Sequence, residues 1–181
     1  MTRLLRFAVV LAAIALCSVS AYAQHDKSMR PSPPGSAECR FADGKTVHID
    51  YSRPSKKGRK IYGGLVPYDK EWRTGANEAT TFVPNTNVDV GGAKVPAGNY
   101  TLFTVPSQKQ WTLIISKKTG EWGIPYPGKG EDLARVPMRS EELSTPVEQF
   151  TISFERTAPE ACTLRMDWET TRAEVSVREA K

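Results

Sequence analysis

The side chains able to do chemistry concentrate in one stretch. Between Asp50 and Thr81 lie seven basic residues, four aromatics and four glycines. Most of this stretch follows neither helical nor strand periodicity, and long irregular segments in compact domains are uncommon and often functional. Arg53, Lys56, Lys57, Arg59 and Lys60 form an anion-seeking cluster. Arginine matches planar carboxylate or phosphate groups with two parallel donors. The competing reading is a solvated loop, with Arg53 and Arg59 paired to internal carboxylates. The run from Trp72 to Glu78 is the densest polar-aromatic block. Gly75 permits a tight or left-handed backbone there, so that Asn77 and Glu78 can face a cleft beside Trp72 and Arg73. An arginine near a glutamate is either a structural ion pair or a substrate clamp. Tyr62, Tyr68 and Trp72, with Trp122 and Tyr126 of a later loop, are placed to stack on a sugar ring or line a small-molecule pocket. They serve equally to cap the core beneath long loops.

Signatures of catalysis are sparse. There is no Gly-x-Ser-x-Gly elbow, no His-Glu-x-x-His pair and no phosphate loop. Of the two histidines, only His48 falls in the folded part. A serine triad, a multi-histidine metal site and a bound cofactor are therefore not expected. His48 and Asp50 share a strand face, but side chains two apart on a strand start about 6.5–7 Å from each other, loose for a direct hydrogen bond. The remaining catalytic arrangement is a carboxylate pair, Glu78 with Asp50 or Asp69, serving as acid and base of a hydrolase. It requires two carboxyl groups facing one cleft, one of them with a raised pKa.

The ends of the chain bound its class. Arg3 and Arg6, the apolar run Phe7–Val19 and the small-x-small site Ala21-Tyr22-Ala23 read as a signal peptide over residues 1–23. The apolar run is shorter than the roughly 20 residues of a membrane span. Bulky Leu16 before Cys17 argues against lipid anchoring there, so an exported periplasmic or extracellular protein with no transmembrane segment is expected. Without Arg3 and Arg6, 23 basic side chains face 20 acidic ones. That excess is too mild to argue for nucleic acid. In an oxidising compartment Cys39 and Cys162 are expected to bridge, and closing so long a loop stabilises by about 4–5 kcal/mol on the chain-entropy model.

These groups need a scaffold, and the scaffold reads as strands. Residues 24–36, with three prolines, form a flexible tail, and residues 37–181 one domain. Glu38–Phe41 and Thr46–Tyr51 flank an Asp-Gly turn. Strands follow at Ala79–Val83, Val88–Val90, Asn99–Val105 and Trp111–Ser116. Leu133–Met138 and Val147–Glu155 are further candidates, separated by a short helical turn at Ser140–Leu143. Cys162–Trp168 and Ala173–Val177 bury opposite parities, so a bulge or turn belongs near Thr170–Arg172. With no long amphipathic helix, the fold class is all-β: a single antiparallel β-sandwich or jelly-roll-like domain with long loops.

The block from Asp50-Tyr51-Ser52-Arg53-Pro54 through Lys57–Tyr68 to Trp72-Arg73-Thr74-Gly75-Ala76-Asn77-Glu78-Ala79-Thr80 resembles one family. So does Pro96-Ala97-Gly98-Asn99-Tyr100-Thr101-Leu102-Phe103-Thr104-Val105-Pro106 with Trp111-Thr112. The resemblance is to bacterial exported proteins catalogued as domain of unknown function 2911, from about Pro31 to Val177. It implies a signal peptide and a β-rich envelope or secreted domain, and brings no activity. The residues themselves point to a non-enzymatic binding module for a carbohydrate or another anionic or polar ligand. Its site would use loops 52–78 and 120–130. The alternatives are the carboxylate hydrolase and a structural or interaction protein of the envelope whose partner is unknown.

Overall fold

A computed structural model of the chain describes residues 27–180, so the signal peptide read over residues 1–23 lies outside the described residues. The chain forms β1 (Pro34–Arg40), β2 (Thr46–Ser52), β3 (Thr80–Pro84), β4 (Val88–Val90), β5 (Ala93–Val95), β6 (Tyr100–Val105), β7 (Trp111–Ser116), β8 (Asp132–Ala158) and β9 (Ala161–Glu179). All neighbours are antiparallel, in the order β1-β2-β3-β6-β7-β8-β9-β4-β5. The edge strands β1 and β5 do not pair, and the sheet does not close into a barrel.

The two layers expected of a sandwich are two arms of this one sheet. β8 joins them, pairing with β7 up to Met138 and with β9 from Arg139 onward. Past that exchange the β8–β9 hairpin lies over the face of β1 and β2. Ile49, Phe82, Leu102 and Leu113 from one arm meet Phe150, Met166, Trp168 and Val177 from the other in one hydrophobic core. The period-2 pattern of β2 accounts for its facing, since Val47, Ile49 and Tyr51 are buried while His48 and Asp50 point out. The bridge Cys39–Cys162 ties β1 to the start of β9, with Cα atoms 6.3 Å apart.

Three local expectations are corrected. Ser140–Leu143, read as a helical turn, is strand within β8. Cross-strand partners decide this: Arg139 Nε lies 2.9 Å from Glu174, and Arg172 lies 3.6 Å from Glu141. Such pairs override a weak local preference. The break expected near Thr170–Arg172 is present: the register shifts between the Glu142–Thr171 and Val147–Glu169 pairs, and Glu169 is left-handed at φ 55°. The extra residues sit on β8, either side of the Val147–Glu169 pair, where no pattern within β9 could show them. Ala93–Val95, not expected as a strand, closes a hairpin with β4 across Gly91-Gly92. β1 begins at Pro34, ahead of the boundary placed at residue 37.

Candidate functional site

Residues 53–79 hold no regular element, yet they are stitched to the sheet along their length. Lys56 donates its amide to Glu148 O at 2.7 Å, and Phe150 donates to Pro54 O at 2.9 Å. Trp72 and Thr104 exchange backbone hydrogen bonds at 2.8 and 2.9 Å. Thr74 is fully buried and donates to the Thr104 hydroxyl at 3.2 Å. Asn77 donates to Ser32 O and to the Ser52 hydroxyl. Apolar side chains complete the anchoring: Ile61, Tyr62 and Val66 are buried in the main core. A segment whose backbone donors and acceptors are paired this way holds one shape without secondary structure.

That shape encloses a cleft of about 320 Å³ between this segment and the loop after β7. Trp72 and Trp168, stacked with centroids 5.9 Å apart, form its wall. Arg59 and Arg73 supply its charge, and no carboxylate lines it among the described residues. Leu65 and Ile124 are exposed at its edge, and Trp122 lies 5.9 Å under the Arg73 guanidinium. One glycine makes the approach possible: at Gly123 (φ 83°) a Cβ would stand 2.8 Å from Arg73 Cβ. The Gly75 carbonyl accepts from Trp72 Nε1 at 3.0 Å.

Arg73 is the unusual member. Its Nε and Nη1 are buried and have no hydrogen-bond partner among the described residues. Burial alone lowers its pKa from the ordinary arginine value. Arg59, by contrast, donates to Ser55 O at 2.6 Å and Lys56 O at 2.9 Å, and so shapes its own turn.

The other residues singled out from the sequence lie elsewhere. Arg53 is internal, donating to Phe150 O and the Thr151 hydroxyl. Tyr126 packs edge-on to Phe103 and hydrogen-bonds Asp132 and Arg135. Tyr62 and Tyr68 line a different pocket of about 280 Å³, on the far side of the aromatic wall. His48 Nε2 and Asp50 Oδ1 are 3.1 Å apart, closer than the backbone spacing implies, because the imidazole leans along the strand.

Glu78 and Asp50 both line one cavity of about 370 Å³, and Asp69 is not among its lining residues. Arg30 grips both Glu78 oxygens, at 2.9 and 2.8 Å, and Lys27 stands 3.4 Å away. Led by the Arg30 hydrogen bond, these hold the Glu78 carboxyl at about 2, so it is ionised at neutral pH rather than carrying the raised pKa that a general acid needs.

Among the residues lining the Arg73 cleft, Leu65 and Ile124 fall within loops 52–78 and 120–130 but were not singled out, and Trp168 lies outside both loops. Leu65 and Ile124 are lone apolar residues in loops, and Trp168 reads as an ordinary core position of β9. Their only common signal is spatial.

A family described as Protein of unknown function (DUF2911) matches residues 32–177, and the chain belongs to it. No curated protein and no solved structure matches the chain.

Proposed function

We propose that this member of the DUF2911 family is an exported binding module. Its Arg73 cleft takes the acid group of a ligand whose body is apolar: a carboxylate or phosphate on a chain or ring. The observation that carries this reading is the pair of buried, unpartnered guanidinium nitrogens. Leaving a buried donor unpaired costs about 1–3 kcal/mol, and more for a charged group. Breaking a local rule at such a cost is characteristic of functional positions. An oxyanion seated in the cleft beside Arg73 and Arg59 would draw on those donors, which are covered in the free protein, while Trp72 and Trp168 would face its apolar part. The Cys39–Cys162 bridge supports export into an oxidising compartment.

The test is thermal denaturation and calorimetric titration of residues 24–181 with hexyl phosphate, hexanoate, hexanol and inorganic phosphate. Both amphiphilic anions should raise the melting temperature, hexanol and phosphate much less, since each supplies only half of the recognition. If hexanol binds as tightly as hexyl phosphate, or if neither anion binds, the reading fails.

A further inference from the structure

The pocket on the other face of the aromatic wall has its own unexplained group. Tyr62 is almost fully buried, packed edge-on against Trp111 at 4.8 Å and close to Trp72 and Trp168. Its hydroxyl has no hydrogen-bond partner among the described residues. Buried tyrosine hydroxyls usually find one. Burial, and then the Glu169 and Asp167 carboxylates, raise its pKa well above the ordinary value, so it stays protonated as a donor.

The chemistry of the lining is the reverse of the Arg73 cleft. No lysine or arginine lines this pocket among the described residues. The lining includes half-buried Tyr68, the Gln108 amide, the Thr170 and Thr171 hydroxyls and exposed Glu142. Glu141 also borders it, but Arg139 at 2.6 Å and Arg172 at 3.6 Å offset its charge. The surround is therefore dominated by neutral donors and acceptors, with one carboxylate acceptor and one aromatic face. Hydroxyl-bearing rings meet all three at once: an apolar ring face for tyrosine, and hydroxyls that donate to carboxylate and accept from amide. A cation would find the aromatic faces mostly buried, and an anion would meet Glu142.

We propose that this pocket is a second ligand site, for a neutral pyranose sugar, with the Tyr62 hydroxyl, covered in the free protein, hydrogen-bonding the sugar when it seats at the base. It is independent of the Arg73 reading, because the pockets share a wall but no lining residue.

The experiment is an NMR titration of residues 24–181 with the methyl glycosides of glucose, galactose, mannose and N-acetylglucosamine, and separately with choline and acetate. At least one glycoside should shift Tyr68, Gln108 and Thr171 resonances saturably, with Kd on the order of 1 mM. Tyr62→Phe should weaken that binding about fivefold, the loss of one hydrogen bond. The same variant should melt no lower than the parent, because the hydroxyl has no hydrogen-bond partner among the described residues. Three results overturn the proposal: no glycoside shifts these residues, choline or acetate shifts them more strongly, or Tyr62→Phe lowers the melting temperature and leaves glycoside binding unchanged.

Discussion

The Arg73 cleft and the Tyr62 pocket share one aromatic wall and differ in nearly everything else. Trp72 and Trp168 face the first, and Tyr62, packed against both, faces the second. The cleft is built almost wholly from loops and carries two arginines. The pocket gathers two loops and the irregular middle of the β8–β9 hairpin, and carries carboxylates and hydroxyls. Each nevertheless contains one buried polar group without a hydrogen-bond partner among the described residues. Elsewhere the irregular segment is densely satisfied, with Arg53, Arg59, Thr74 and Asn77 all bonded. The contrast teaches that a long loop can be mostly anchor and still present a site where the anchoring stops.

Removing the shared wall should have the largest effect. Trp168→Ala is expected to cost about 3–5 kcal/mol in urea denaturation and to impair both sites together. A variant that loses one site and keeps the other would break the idea of a common wall.

The Cys39–Cys162 bridge lies away from both. Replacing both cysteines by alanine should cost about 2–4 kcal/mol. The folded fraction should still bind at both sites with unchanged affinity, as calorimetry on the variant would show.

Glu78 sharpens the comparison in another way, because its arginine partner comes from the segment before β1 rather than from a site. Its folded pKa is depressed from 4.5 to about 2, so the Arg30–Glu78 contact stabilises fully above pH 4.5. The contribution fades as pH falls toward 2. The carboxylate is well exposed to solvent, so screening reduces it to about 1 kcal/mol or less. Arg30→Ala should flatten the stability-versus-pH curve in that window and leave it unchanged near neutrality apart from a constant offset.

Glu142→Gln should have the smallest effect on folding, within about 0.5 kcal/mol, since Glu142 is exposed. It belongs to the sugar pocket alone, so anion binding at Arg73 should not change.

Much of the scaffold was legible in the sequence. The alternation of Val47, Ile49 and Tyr51 and the Asp43-Gly44 turn located the first hairpin, and Trp111–Ser116 coincides with β7. What local pattern could not show was pairing at a distance. Ser140–Leu143 is extended because Ala173 and Arg172 lie across from it, and β8 turns the corner between arms because it changes partners at Met138. The sites divide the same way. Arg59, Trp72 and Arg73 come from one stretch, whose composition marked all three as candidates without showing that they line one cleft. Trp168 and Ile124, and the gathering of Tyr62 with Gln108, Glu142 and Thr171, depend on how the sheet folds over. Residue type alone also could not separate Arg53, which bonds the backbone of β8, from Arg73, whose buried Nε and Nη1 have no partner among the described residues.

The most direct test of the account is the melting temperature of Arg73→Met, measured with and without hexyl phosphate. If Arg73 is held unpaired for a ligand, the free variant should melt at the parent's temperature or about 3 °C above it, since a costly buried charge has gone. Hexyl phosphate should then produce no further rise. A variant that melts several degrees lower and still responds to hexyl phosphate would contradict the claim, and would make Arg73 a structural residue of the loop.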